Sequence, residues 1–288
     1  MPELPEVETV RRTLAPLLTG RQILSVSALR PEVIHHPLPV DFCARLAGCR
    51  IEGLMRRGKF LLLRLVSAAG GQLLVVHLRM TGRLLCTPAT YPQKPHTHVI
   101  FHLDQNMELR FSDTRRFGGL WLLADGETDT CTGMQKLGVE PLSAELCAGF
   151  LQQRLGRRRS TIKSGLLDQS VIAGLGNIYA DETLYRAQIH PQQPCCTLQE
   201  KEWQALAGAI PEVLQAAIAN NGTTFHDFLD GEGREGQNMP FLQAYGRAGE
   251  PCRRCGAQMV KIRLQGRGTC FCPNCQRLHS VEGIEEER

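Results

Sequence analysis

Along the first third of the chain the apolar positions change period. Val7, Val10, Leu14 and Leu17 recur at helical spacing, with Pro5 suited to a first turn and Gly20 placed as a stop. These residues predict an amphipathic opening helix. Six short apolar runs follow: Ile23–Leu29, Phe60–Val66, Gln72–Leu78, His98–Leu103, Met107–Phe111 and Gly119–Leu123. Separated by Gly, Pro and Asn turns, they predict a meander or β-sandwich. After about Leu142 the pattern turns helical. Ser143 is a candidate cap, and Thr197 with Glu200 reads as a capping box for a helix running to about Asn220. Residues 222–250, rich in Gly and polar turn formers, read as a mobile loop. The fold class expected is α+β in two domains. A helix plus β-sandwich occupies 1–130 and a helical domain 131–250, with a loop at about 222–240. A small four-cysteine β-hairpin module at 251–277 and an acidic tail at 278–288 complete the chain.

With 288 residues and 42% hydrophobic content the chain can bury substantial cores. A net charge of +4 tolerates a polyanionic partner without demanding one. Its distribution says more: between Cys252 and Val281 there is no acid, yet Arg253, Arg254, Lys261, Arg263, Arg267 and Arg277 are present. Arg154 and Arg157–Arg159 form a second basic cluster, and such local fields suit phosphate backbones. No apolar run approaches the roughly 18 residues of a membrane span. The start, MPELPEVETVRR, lacks the apolar core of a signal peptide. A cytosolic setting is therefore expected, and the 12 cysteines read as metal ligands or free thiols.

Cys252 and Cys255, then Cys272 and Cys275, form two C-x2-C knuckles. Each sets two sulfurs on one side of a tight turn, and two knuckles complete a zinc tetrahedron. The stretch between them alternates like a hairpin, with Gln265–Gly268 at or near its tip. Cys270 stands one residue too close to Cys272 for a knuckle and is excluded. A basic tip without acids favours nucleic-acid contact over a purely structural finger.

PELPEVET at the start, RRGKFLL at 56–62, HLRMTG at 77–82, SDTRRFGG at 112–119, LDQSVIAGLGNIYADETLYRAQIHP at 167–191 and the four-cysteine module occur in one order. Together they strongly resemble the formamidopyrimidine-DNA glycosylases, over essentially everything up to Gln276 or Arg277. The resemblance implies an amino-terminal β-sandwich, then a helical domain with a helix–two-turns–helix and a zinc finger. It implies excision of oxidised purines (8-oxoguanine, formamidopyrimidines) from duplex DNA, then strand cleavage by β,δ-elimination. Such an enzyme everts the damaged base from the stack. Pro2, freed by removal of Met1, would be the amine nucleophile and Glu3 the general acid. Lys59 and Arg267 would contact phosphate and assist catalysis.

The same likeness places His77, His96, Arg116, Arg158 and Asn177 on the DNA backbone and counts Arg115 among the DNA-binding residues. Asn177 also suits the N-cap of a helix through IYADETLYRA. Met80, Arg115 and Phe117 would fill the gap left by the everted base, with Arg115 bonding the orphaned cytosine. Glu6, Lys163, Thr223 and Thr224 would surround the damaged base, under a lid made flexible by Gly231, Gly233 and Gly236. One structural zinc, no organic cofactor, damaged double-stranded DNA as partner, a monomer and a bacterial cytoplasm at the nucleoid complete the expectation.

Three alternatives stand beside it. An endonuclease-eight-like glycosylase would take oxidised pyrimidines, but the start reads PELPE rather than PEGPE. A noncatalytic zinc-finger DNA-binding protein would survive blocking of the Pro2 amine. A hydrolase with catalytic zinc ranks last, because four cysteines leave the metal no open position.

Overall fold

The computed structural model describes residues 1–68 and 70–279, in two compact units. Unit 1 comprises Met1–Lys136 together with Ala217–Met239, and unit 2 comprises Leu137–Ala216 and the chain from Pro240 onward. From residue 280 the expected acidic tail lies outside the described residues.

Unit 1 opens with α1 (Leu4–Leu18), where Pro5 needs no backbone partner and Glu3 and Glu6 close a reciprocal capping box. Val7, Val10, Leu14 and Leu18 form its buried stripe. Leu17, assigned to that stripe from the sequence, is half buried, because the step of four from Leu14 falls on Leu18. Then come β1 (Ile23–Ala28), β2 (Ile34–His36), α2 (Pro39–Leu46), β3 (Arg50–Arg57), β4 (Phe60–Ser67) and β5 (Gly70–His77). β6 (Gly82–Pro88), β7 (Thr97–Leu103), β8 (Met107–Asp113) and β9 (Gly119–Ala124) complete the strands.

Two sheets result, one ordered β1-β7-β8-β6 and the other β2-β9-β5-β4-β3. They share one core, in which Leu61, Leu63 and Leu65 of β4 and Val99 and Phe101 of β7 meet the α1 stripe. The sandwich reading holds, although β2, β3 and β6 were not anticipated as strands. All three lie at sheet edges. β3 carries Arg50, Glu52, Arg56 and Arg57 and a register shift between Ile51 and Gly53, so its alternation is hidden behind polar residues.

Unit 2 contains α3 (Ala148–Leu155), α4 (Ile162–Leu167), α5 (Asn177–Ala187) and α6 (Glu200–Ala219), whose last residues count with unit 1. The turns at 168–176 join α4 to α5 as a helix–two-turns–helix. Three cap assignments change. α3 is capped by Cys147, whose sulfur accepts the Phe150 N–H, whereas the Ser143 hydroxyl donates to the Glu140 carbonyl. At α6, Glu202 reaches back to the Gln199 N–H at 2.8 Å, while Thr197 ends a short 3-10 turn. Gly176 caps α5, leaving Asn177 as the first helical residue. β10 (Val260–Leu264) and β11 (Arg267–Phe271) form the finger hairpin. Its two-residue turn, Gln265-Gly266, has φ of 47° and 78°, the pair of positive values that matches strand twist in a tight hairpin.

Candidate active site and nucleic-acid interface

In unit 1 the head of α1 is buried from Pro2 onward. While Met1 is attached, the Pro2 nitrogen is an amide without a nucleophilic lone pair. Glu3 and Glu6 are each only 1% exposed. Glu6 accepts the Glu3 N–H at 2.8 Å on Oε2 and the Thr223 N–H at 2.8 Å on Oε1. One carboxylate thereby joins the helix start to the 217–239 segment. Gly222 makes room for it: a Cβ there would sit 3.0 Å from Glu6 Oε1 at a φ of +76°. The Thr223 hydroxyl accepts from Asn238 Nδ2, and the Thr224 hydroxyl donates to the Phe228 carbonyl while accepting the Gly236 N–H.

The glycines of this segment do something other than confer flexibility. A Cβ on Gly231 would lie 2.4 Å from Leu14 Cγ, and one on Gly236 would lie 2.3 Å from the Gly222 carbonyl. Both permit close approach, whereas Gly233, at φ +85°, is needed for its backbone angle.

Lys59 follows Gly58 in the two-residue turn between β3 and β4, where Arg57 pairs with Phe60. The Glu8 carboxylate accepts from Arg11, Arg12 and Arg56, and Arg56 Nη1 donates to the Gly58 carbonyl at 3.0 Å. That chain fastens α1 to the turn carrying Lys59, itself largely buried. His77, at the end of β5, is pushed down to about 3, by burial first and then by the positive charges of Arg79 and Lys59. Its Nδ1 accepts the Arg79 N–H at 3.0 Å, so the neutral ring carries its proton on Nε2. His77 can thus offer a phosphate an N–H donor but not a charge.

Met80 tops a turn closed by the Gly82 N–H on the Leu78 carbonyl at 2.9 Å. On the β8–β9 loop the Arg115 guanidinium lies 4.6 Å from the Phe117 ring centre, and Phe117 is 55% exposed. Arg116 and His96 are exposed at φ of 56° and 63°, and the His96 carbonyl accepts the Asp113 N–H at 3.0 Å. Unit 1 therefore brings together Glu3, Glu6 and Thr223 in one hydrogen-bonded set and Arg115 with Phe117 through a cation–ring contact. The sequence reading assigned no role to Asp113, although SDTRRFGG contains it. A short acid opening a basic loop was the available signal.

In unit 2 the four sulfurs of Cys252, Cys255, Cys272 and Cys275 lie within 4.8 Å of one another. Two of the separations are 3.9 Å and 3.5 Å. Sulfurs about 2.3 Å from a tetrahedral zinc stand about 3.8 Å apart, so the set fits the metal. The Tyr185 hydroxyl lies 3.3 Å from Cys252 Sγ. Arg267 is exposed where β11 leaves the hairpin turn.

Lys163, expected beside the damaged base, is 1% exposed, and its ammonium lies 2.6 Å from Asp181 Oδ1. It also donates to Thr269 Oγ1 at 2.8 Å and the Gly268 carbonyl at 3.3 Å, both on β11. Asn177 Nδ2 donates to the same Gly268 carbonyl at 2.9 Å. These side chains seat the hairpin that bears Arg267. Arg158 pairs with Asp168 at 2.8 Å. Two acids in α5 escaped the sequence reading: Asp181, which also accepts the Cys270 N–H, and Glu182, which accepts the N–H groups of Gln243, Ala244 and Tyr245.

Residues 1–120 match the formamidopyrimidine-DNA glycosylase N-terminal domain, 137–228 the H2TH domain of the same enzymes, and 249–278 the zinc finger found in FPG and IleRS. A formamidopyrimidine-DNA glycosylase of Symbiobacterium thermophilum is 49% identical over 276 residues, covering 96% of this chain and 89% of that protein. The chain belongs to the formamidopyrimidine-DNA glycosylase family. Similar solved structures include a Lactococcus lactis FPG variant with DNA containing Fapy-dG, at a TM-score of 0.89. The wild-type FPG of that organism with DNA containing an oxidised pyrimidine gives 0.88. Each is 36% identical and covers 96% of this chain and 100% of its own. A zinc held by these four cysteines would be structural, because four thiolates fill its coordination shell. Among the described residues no helix is long and apolar enough to cross a membrane.

Proposed function

We propose that this member of the family excises oxidised purines from duplex DNA through the amine of Pro2 and then cleaves the strand as an AP lyase. The observation that carries the reading is the buried Pro2–Glu3–Glu6 head of α1, in a chain so similar to named glycosylases. With Met1 removed, the Pro2 nitrogen attacks C1′ and the bond to the damaged base breaks. Glu3 protonates O4′ as the ring opens, leaving an iminium between C1′ and Pro2. A terminal α-amine has a pKa of about 7.7–8.0 against about 10.4 for lysine, so it is appreciably nucleophilic near neutrality. The iminium acidifies the C2′ proton, and successive losses of the 3′ and 5′ phosphates follow. Lys59 and Arg267 contact the flanking phosphates, and Arg116, His96, Arg158, Asn177 and the His77 Nε2–H hold the backbone. Met80, Arg115 and Phe117 occupy the vacated stack, while Glu6, Thr223 and Thr224 border the everted base and Lys163 steadies the finger hairpin. The setting is the cytoplasm, at the nucleoid.

Borohydride trapping on a duplex with one 8-oxoguanine opposite cytosine tests this directly. A covalent adduct, weakened in Pro2→Gly, is expected. No adduct from zinc-loaded protein lacking Met1 would leave a DNA-binding protein, and preferential trapping on an oxidised-pyrimidine duplex would move the substrate class.

A further inference from the structure

Met80 stands on the β5–β6 turn, and Arg115 with Phe117 on the β8–β9 loop. A gap in a base stack is filled only if both loops arrive in register, and one buried carboxylate ties them. Asp113, 1% exposed, ends β8. Its Oδ1 accepts from the Thr81 hydroxyl and from the Arg115 N–H at 3.1 Å, and its Oδ2 accepts the Gly118 N–H at 2.7 Å. The Thr81 oxygen also lies 3.1 Å from the Arg115 N–H, so hydroxyl and carboxylate share that donor. Thr81 directly follows Met80, and Arg115–Phe117 lie between the two amides that Asp113 holds.

The clamp itself is fixed in place. The Asp113 N–H donates to the His96 carbonyl, and its own carbonyl lies 2.7 Å from His98 Nε2. Around it there is no slack: a Cβ on Gly118 would fall 3.0 Å from Oδ2 and 2.9 Å from the Phe111 ring. On the other loop a Cβ on Gly82 would fall 2.4 Å from the Leu78 carbonyl. Hydrogen bonds to an ionised carboxylate are shorter and stronger than neutral ones, which suits a joint that must survive entry into DNA.

We infer that Asp113, acting through Thr81, is a positioning residue that presets Met80 and Arg115–Phe117 as one wedge, and that reading of the base opposite the lesion depends on it. The inference rests on the excision reading above. Neither residue touches substrate in this scheme. Arg115 can address a cytosine edge only when its backbone is held to a few tenths of an ångström, and the clamp supplies that hold.

The test measures kcat/KM on 8-oxoguanine duplexes with cytosine or adenine opposite, using the full zinc-loaded chain without Met1. Thr81→Val keeps the shape and deletes the hydroxyl, Thr81→Ser keeps the hydroxyl, and Asp113→Asn halves the acceptor set. Thr81→Val and Asp113→Asn are expected to lower the cytosine value about tenfold and to reduce the cytosine-to-adenine ratio by a similar factor. Thr81→Ser should stay within about twofold of wild type on both duplexes. Equal losses on the two duplexes, a serine variant as impaired as the valine variant, or an active wild type without a cytosine preference overturns the inference alone. Full activity of Thr81→Val does the same. An inactive wild type would instead overturn the excision reading, and the inference with it.

Discussion

Replacing Asp181 by Asn preserves the shape of the side chain and an acceptor for the Cys270 N–H. It leaves the buried Lys163 ammonium without the carboxylate 2.6 Å away. Burial already pushes the Asp181 carboxyl up to about 6 despite that ammonium, so the pair holds two poorly solvated ions in near balance. Removing one member of such a pair costs about 3–5 kcal/mol. The lysine has one escape, loss of its proton. Starting from an unfolded pKa of about 10.4, that costs about 4.6 kcal/mol at pH 7. The two figures agree, and the variant is expected to be about 4 kcal/mol less stable than wild type at pH 7.

The sign of the pH dependence follows. In the variant the folded lysine has a pKa below its unfolded value, so the unfolded chain binds the extra proton. Stability is then regained as pH rises, by about 1.4 kcal/mol per unit, and the penalty at pH 9 should be about 1–2 kcal/mol. Urea unfolding reads this through Trp203, which is 1% exposed and lies in unit 2, in a Trp121→Phe background that silences the other tryptophan. Lys163→Met combined with Asp181→Asn removes both charges and should recover about 2 kcal/mol or more. A penalty below about 1 kcal/mol at pH 7, or one that does not shrink by pH 9, refutes the description of Lys163 and Asp181 as a desolvated ion pair.

Three further outcomes are expected. The His77 pKa near 3 lies below its ordinary 6.5, so its contribution to stability is intact above pH 6.5 and is lost as pH falls toward 3. The loss is about 2 kcal/mol at pH 5, and denaturant titrations should find it reduced in His77→Gln; an unchanged slope would assign it to other groups. Gly231→Ala drives a Cβ to 2.4 Å from Leu14 and should destabilise by about 1–3 kcal/mol, whereas an unshifted melting curve would mean that the segment yields there. Chelation should release one zinc per chain and weaken binding of a lesion duplex at least about tenfold, since the Arg267 hairpin loses its base. Metal analysis beside an anisotropy titration checks this, and full release without loss of affinity would separate the finger from DNA binding.

The parts of the fold that were legible are those whose signal is local. The α1 stripe, six of the strands and the two cysteine knuckles each announce themselves within a few residues. β3 was hidden because an edge strand presents Arg and Glu to solvent on one face and carries a register shift between Ile51 and Gly53. The caps of α3, α5 and α6 shifted by one to four residues, since several hydrogen-bonding side chains stand near each helix start and only packing selects among them. Lys163 and Asp181 are charged residues on short helices, a pattern that ordinarily means solvent exposure. Their burial depends on each other, 18 residues apart, and on Thr269, 106 residues from Lys163. Gly231 reads as a flexible position until Leu14 is seen against it. The candidate site residues came as a set through resemblance, while Asp113, which joins two of the quoted motifs, offered only the faint signal of a short acid opening a basic loop.

Unit 1 is not a continuous stretch of chain. Glu6 needs the Thr223 amide, Thr13 accepts the Gly231 N–H, and the Cys86 N–H of β6 donates to the Gly231 carbonyl. All of these partners are translated about a hundred residues after Lys136. At about 5–20 residues per second, a ribosome leaves the head of α1 without them for about 5–20 s after the sandwich has emerged. The nascent sandwich is therefore a scaffold with the head of α1 unbraced, and much of unit 2 must be synthesised before that bracing is complete. A chain released early, by a stalled ribosome or a nonsense codon anywhere before residue 223, would present the amino-terminal proline without its bracing. The bracing of the helix start is in this way deferred until the chain has been made as far as Gly231.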